Sequence, residues 1–179
     1  MTTTTAAHTP RVRLLDTVSE AQLRDLASVL ADCVEGGASV SFMLPLTEER
    51  AHAFWRKVAD SAASGERALL VAEDEEGIVG TVQVVLGLPE NQPHRGEVAK
   101  LLVHRRARRK GIGALLMQAA EQLARERGKT LLVLDTSGAE AERLYERMGW
   151  TRLGSIPGFA LLPQGGLCAT TFFYREVAA

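Results

Sequence analysis

The chain is poor in metal and disulfide chemistry: 179 residues include 2 cysteines and 4 histidines. Cys33 and Cys168 give no disulfide framework, and both are expected as reduced, buried small hydrophobes. His8, His52, His94 and His104 are dispersed, with no Cys/His pair at ligand spacing, so no metal is expected. His94, alone in a loop holding Pro89 and Pro93, reads as exposed. No run approaches the roughly 18 apolar residues that cross a bilayer. The opening Met1-Thr2-Thr3-Thr4-Thr5-Ala6-Ala7 lacks the basic start and apolar centre of a signal peptide. A frayed tail over 1–10 and a cytoplasmic location are the expectations. A charge surplus is lacking as well. The formal net charge is -1, which gives no global field for nucleic acid. Repeats and low-complexity linkers are absent. With 46% hydrophobic and 24% charged residues, the length suits one packed domain over 11–179.

The apolar periodicities that are present alternate between strand and helix. A first strand, Val12 to Leu15, leads to a helix announced by Thr17-x-x-Glu20, a capping-box pattern, with Leu23, Leu26, Ala27, Leu30 and Val34 on one face. Gly36-Gly37 ends it. Thr47 caps a second helix that opens on Glu48 and Glu49 and presents Phe54, Trp55 and Val58. Strands follow at Ala68 to Glu73, Ile78 to Leu86 and Glu97 to Val103. A long helix then carries Ile112, Leu115, Leu116, Ala119, Leu123 and Ala124 at spacings of three and four, and Gly128 supplies its left-handed stop. Leu131 to Asp135 reads as a strand, a short helix contains Ala141 to Tyr145, and two strands close the chain. The order β-α-α-β-β-β-α-β-α-β-β predicts an α/β fold: a mixed, mostly antiparallel sheet of about seven strands flanked by about four helices.

Between the third of the meander strands and the long helix lies Arg108-Arg109-Lys110-Gly111-Ile112-Gly113. Glycines at 111 and 113 remove Cβ atoms that would hold a ligand off the backbone, and the first N–H groups of a helix have no partner within it. An anion fills that role, so the turn reads as a pyrophosphate cradle. Basic residues at 105, 106, 108, 109 and 110 surround it. A Walker A loop would need Gly-Lys-Ser/Thr, and the dinucleotide fingerprint would need a third glycine where Leu116 stands. Neither pattern is met. No aromatic stripe interleaves with the cluster as single-strand binding requires.

Arg-x-x-Gly-x-Gly/Ala between strand and helix resembles the acetyl-CoA motif of the GCN5-related N-acetyltransferases (GNAT), and Tyr145 with Met148-Gly149-Trp150 is similar to that family's tyrosine helix and Gly-aromatic ending. Gly36 to Val40, Glu97-Val98-Ala99-Lys100-Leu101, Leu134-Asp135-Thr136 and the stretch from Pro157-Gly158-Phe159 to Tyr174 resemble the tabtoxin-resistance acetyltransferases, which detoxify a small β-lactam-containing amino acid. The stretch from Asp135 to Tyr145 is about one residue shorter than in that subfamily. The resemblance implies acetyl-CoA as co-substrate. It assigns the cofactor to Leu101, Leu102, Val103, Arg108, Arg109, Lys110, Gly111, Ile112, Gly113 and Thr136, with the pantetheine arm along the fourth strand. A bulge or splay in that strand would free an N–H for the thioester carbonyl, and such a preorganised donor is worth roughly 3 kcal/mol.

Amine acetylation needs a base, because an alkylammonium of pKa about 10 is not nucleophilic. Glu97 and Asp135 match the two catalytic carboxylates of the subfamily. Read alone, Glu97 is a solvated strand start, and Asp135 or Ser137 a helix cap. Tyr145 matches the tyrosine that protonates the departing thiolate; read alone, it packs its helix on the sheet. Ser39, Ser41, Phe42 and Met43 lie between two helices where the family binds its acceptor, and read alone form an ordinary connection. The expected activity is acetyl transfer to a small-molecule amine, such as an amino-acid-like toxin or antibiotic. Acetylation of proteins or peptides and non-catalytic CoA sensing are the alternatives. The expected partners are the small amine, no nucleic acid and no membrane, in a monomer or homodimer.

Overall fold

The computed structural model describes residues 10–177. Residues 1–9, which make up most of the expected tail, lie outside the described residues. The elements run β1 (Arg11–Leu14), α1 (Glu20–Glu35), α2 (Glu48–Ala63), β2 (Arg67–Asp74), β3 (Gly77–Val85), β4 (Arg95–Val103), α3 (Ile112–Glu126), β5 (Leu131–Thr136), α4 (Ala139–Arg147), β6 (Thr151–Leu161) and β7 (Leu167–Glu176), with one 3-10 turn at Arg105–Ala107. The seven strands form one sheet in the order β1-β2-β3-β4-β5-β7-β6. Every neighbouring pair is antiparallel except β4 and β5. The expected order and the mixed, mostly antiparallel sheet are thus observed. Among the described residues no helix is long and apolar enough to cross a membrane.

Period-two alternation in β2 builds both halves of the core. Leu69 and Val71 point to one face, where they meet Leu26 and Leu30 of α1 and Trp55 of α2. Ala68, Leu70 and Ala72 point to the other, where they share a cluster with Leu116 and Met117 of α3 and Tyr145 of α4. Trp55 is fully buried, so its place is in the core. The sheet is therefore clamped from both sides, which fixes the strand ends that carry the site.

Three local expectations are corrected. The capping box of α1 is Ser19 with Gln22 rather than Thr17 with Glu20: Ser19 Oγ accepts from Gln22 N–H at 3.2 Å, and Gln22 Oε1 accepts from Ser19 N–H at 2.8 Å. Leu15 N–H still bonds Leu69 O at 2.9 Å, so residues 16–18 are spent turning the chain away from the sheet. On α3 the buried face takes in Met117 and Ala120, whereas Leu115 and Ala119 are half-buried. Cys33 is buried as expected, but Cys168 is only half-buried, because it lies in the projecting part of the β6–β7 hairpin. The stops and caps at Thr47 and Gly128 are as expected: Thr47 Oγ1 accepts from Arg50 N–H at 3.3 Å, and Gly128 has φ +72°.

Candidate active site

The site opens where the sheet divides. Parallel pairing of β4 with β5 covers only Arg95↔Leu131, Gly96↔Leu132 and Glu97↔Val133. Beyond Glu97, β4 stays bonded to β3 alone, while β5 continues to Thr136 against β7. The strands splay, and the backbone of β4 from Val98 onward loses a neighbour on one edge. The β3–β4 register also slips between Thr81 and Gln83, which inserts an extra residue opposite Val82. Lys100 sits in that bulge with φ +53°. A left-handed lysine costs about 1 kcal/mol or more, and such strain persists only where the surroundings enforce it.

A cavity of about 160 Å³ fills the wedge, lined by Ser39, Val40, Ser41, the β4 run Val98 to Leu101, Asp135 and Tyr145. Asp135, at the end of β5, has its carboxyl pushed above the ordinary range by burial against the cleft walls; Lys100 opposes that shift and Glu97 adds to it. The bland reading of Asp135 as a helix cap fails. The N-cap of α4 is Gly138, with no side-chain bond, and its N–H goes to Thr136 Oγ1 at 3.2 Å. Glu97 is engaged elsewhere: Arg95 Nη1 donates to its Oε1 at 2.7 Å. It borders the wedge rather than lining it. Tyr145 is buried, with its ring 5.6 Å from Phe173 and 6.0 Å from Trp150. Burial, and then the Asp135 charge, raises its phenol far above the usual value, so it stays protonated.

A groove of about 540 Å³ continues from the wedge through the shared residues Val40 and Leu101 to the start of α3. Leu102, Val103, Arg108, Arg109, Gly111, Ile112 and Gly113 line it. Gly111 is the N-cap of α3 at φ +77°, with no side-chain cap bond. The two glycines differ in their reasons. A Cβ at 111 would meet nothing within 4 Å but would have to adopt the left-handed backbone, whereas a Cβ at 113 would press to 3.2 Å from Leu144 Cδ2 of α4. Close helix packing, as well as ligand approach, therefore asks for glycine at 113.

The basic cluster divides. Asp32 on α1 accepts the Arg105 N–H at 2.8 Å and also its guanidinium, and Asp74 accepts from Arg106 Nη1 at 2.6 Å. Arg105 and Arg106 are thereby turned to acidic partners, while Arg108, which also reaches Asp32 Oδ2 at 3.6 Å, and Arg109 line the groove. Arg108 Nε donates to Val103 O at 2.9 Å, which holds the guanidinium across the groove floor. Lys110 and Thr136 are not among the residues that line it.

On the opposite side of the wedge, Ser39, Ser41, Phe42 and Met43 join Asp135, Phe159, Ala160, Leu161 and Thr170 around a further space of about 290 Å³. The connection between α1 and α2 is tied to the hairpin: Ser39 Oγ donates to Leu161 O, and Leu44 N–H to Pro163 O, both at 3.0 Å. Groove, wedge and outer pocket thus adjoin one another through shared lining residues. Sequence reasoning gave Lys100 no role, yet its Nζ donates to Ser41 Oγ at 3.0 Å inside the wedge. The one available signal was a cation in an otherwise apolar strand half.

A divided mixed sheet of this kind is the fold of solved N-acetyltransferases. A ribosomal-protein-alanine N-acetyltransferase from Brucella melitensis superposes with a TM-score of 0.77 at 24% identity, covering 93% of this chain and 99% of that one. A phosphinothricin acetyltransferase from Sinorhizobium meliloti, in complex with AcCoA, gives 0.77 at 19% identity, covering 96% and 90%. The Acetyltransferase (GNAT) family model matches residues 37–150, and the chain belongs to that family. N-acetyltransferase 8B of Homo sapiens is 37% identical over 90 residues, which are 47% of this chain and 38% of that protein. The chain thus spans well under half the length of that relative.

Proposed function

We propose that the protein is an acetyl-CoA-dependent N-acetyltransferase that acts on the amine of a small molecule, of the amino-acid-like toxin or antibiotic kind implied by the sequence resemblance, in the cytoplasm. The observation that carries this is the wedge between β4 and β5, which puts a free strand edge, the Asp135 carboxyl and the Tyr145 phenol around one cavity.

In this reading the uncapped amides of α3 with Arg108 and Arg109 take the pyrophosphate, and the pantetheine follows the free edge of β4 at Leu101 to Val103. Lys110 serves the phosphates only through long-range charge, and Thr136 holds the start of α4 in register. Asp135 is the stronger candidate for the base, because it has no ion-pair partner among the described residues and a raised pKa, whereas Glu97 is held by Arg95. Asp135 takes the proton of the acceptor's ammonium, directly or through a water. The amine nitrogen then bonds to the thioester carbon and the carbon–sulfur bond breaks. Tyr145 passes its proton to the departing thiolate as it takes up the second proton that the nitrogen sheds on forming the amide, so the phenol, which burial keeps neutral, ends neutral.

The bonds from Ser39 to Leu161 and from Leu44 to Pro163 roof the acceptor side, which favours a small acceptor over an extended peptide. The assembly is a monomer or a homodimer. The hairpin, with Leu153 65% and Leu167 71% exposed, is where a second copy would pack. Thiol release from acetyl-CoA across a panel of small amines and peptides is the test. Turnover with a small amine is the expected result; CoA binding without turnover on any amine would leave a sensing domain instead.

A further inference from the structure

The proposed chemistry accounts for Asp135, Tyr145 and the α3 turn but leaves a cation inside the same cavity without work. Lys100 sits on the wedge wall between Ala99 and Leu101, facing a cavity that also holds Ser39, Ser41 and Asp135. An ammonium has three donors. Here the described partner is one hydroxyl, Ser41 Oγ, at 3.0 Å. Asp135 acts on Lys100 through space, yet the two form no ion pair among the described residues. A lysine and a carboxylate that share a cavity without closing on each other leave room for something between them.

The backbone gives independent support. The described non-glycine residues at positive φ are Ser41 (+79°), Lys100 (+53°) and Arg109 (+62°). Two of them are the contacting pair in the wedge, and the third lines the groove. Left-handed strain in ordinary residues collects where a fold holds a side chain to a task. A plain latch between β4 and the α1–α2 connection would not need both of its members strained.

Resting on the acetyltransferase reading above, we propose that Lys100 and the Ser41 hydroxyl recognise a carboxylate, or a comparable anion, carried beside the acceptor's amine. The acceptor then spans the cavity with its ammonium toward Asp135 and its anion toward Lys100. The neighbouring outer pocket, bounded by Phe42, Met43, Phe159 and Leu161, receives an apolar substituent. Burial depresses the Lys100 ammonium, with Asp135 opposing and Arg67 assisting, so an arriving anion would favour its charged form as well as fill its open donors. A plain alkylamine offers nothing to Lys100, and a polyamine would be repelled by it.

Leucine and isoamylamine differ by the carboxylate alone and serve as the matched probes. Both are measured by acetyl-transfer kinetics, and by calorimetry on the CoA-saturated protein. The native chain is expected to favour leucine in kcat/KM and in affinity by about 10- to 100-fold, the range of one hydrogen bond to a charged group. Lys100→Met keeps the aliphatic stem and the same backbone cost; losing the charge also shifts Asp135 and so alters both rates, and the expected result is that the leucine-to-isoamylamine ratio falls to about one. Ser41→Gly removes the hydroxyl and relaxes the left-handed backbone, so it repeats the test if the Lys100 variant folds poorly. Equal use of the two amines by the native chain, or equal losses on both in Lys100→Met, would overturn the assignment while leaving the acetyltransferase reading intact. Leucine binding that depends on Lys100 without acetyl transfer would uphold the assignment and remove the catalytic reading.

Discussion

Replacing Asp135 by asparagine should separate activity from stability. The carboxyl faces a cleft whose walls raise its pKa, chiefly by desolvation, with Lys100 opposing and Glu97 assisting. A raised acid pKa means that the folded state binds the proton more tightly than the unfolded chain, so the ionised carboxylate costs stability. That cost is complete above the folded pKa and fades as the pH falls toward the unfolded value of about 4. In a fully desolvated site each tenfold loss of acidity would cost about 1.4 kcal/mol, but Asp135 is exposed along the cleft and the cost is discounted to below about 1 kcal/mol. Asp135→Asn should therefore unfold at the same temperature as the native chain or up to about 3 °C higher at neutral pH, with the gain vanishing on acidification. Its kcat should fall about 100- to 10,000-fold, the usual worth of a positioned base. The native rate should climb with pH through a pKa above the ordinary carboxylate range, and the variant should lose that limb. Thermal melts at two pH values and a thiol-release assay read both quantities. A variant that retains most of its kcat, or that is destabilised by several kcal/mol, would refute the assignment of Asp135 as an unpaired base.

Three further outcomes follow from the geometry. Gly111→Ala, forced into φ +77° with its methyl in open groove, should lose about 1–2 kcal/mol of stability and raise the KM for acetyl-CoA about tenfold with kcat little changed, as read by denaturant titration and saturation kinetics. Tyr145→Phe keeps the ring contacts with Phe173 and Trp150 and should fold normally, yet lose about 100-fold in kcat, with the smallest deficit for thioesters whose thiol is most acidic. Arg13 grips Glu73 across β1 and β2 with bonds of 2.7 and 2.8 Å, and this hydrogen-bonded partner holds the Glu73 carboxyl below its usual range. A depressed acid pKa contributes stability above the unfolded value that is lost as the pH falls through the folded one. Glu73→Gln should thus cost about 1 kcal/mol at pH 7 by urea unfolding, a cost that fades as the pH falls through the depressed folded pKa.

Local signals carried much of the architecture because they act within a turn of helix or one strand. Thr47 and Gly128 punctuate their helices as expected, since capping and left-handed stops depend on neighbours in sequence. Two capping boxes overlap at Thr17-Glu20 and Ser19-Gln22, and the one that forms follows a strand end that Leu15 pins to Leu69 far along the chain. The site divides in the same way. Asp135 and Tyr145 are legible as residues of a familiar pattern, but their meeting in one cavity depends on β4 and β5 parting after Glu97. The Lys100 bulge has no glycine to advertise it; it arises from the register of β4 against β3. Arg105 and Arg106 read as part of the phosphate cluster, because charge along a sequence does not show that Asp32 and Asp74 wait for them on other elements.

Amide hydrogen exchange with and without saturating CoA tests the ligand's course along the fold most directly. Slowed exchange at Leu101 to Val103 on the free edge of β4 and in the first turn of α3 after Gly111 is the expected result. Unchanged exchange there, or protection confined to another face of the sheet, would contradict it.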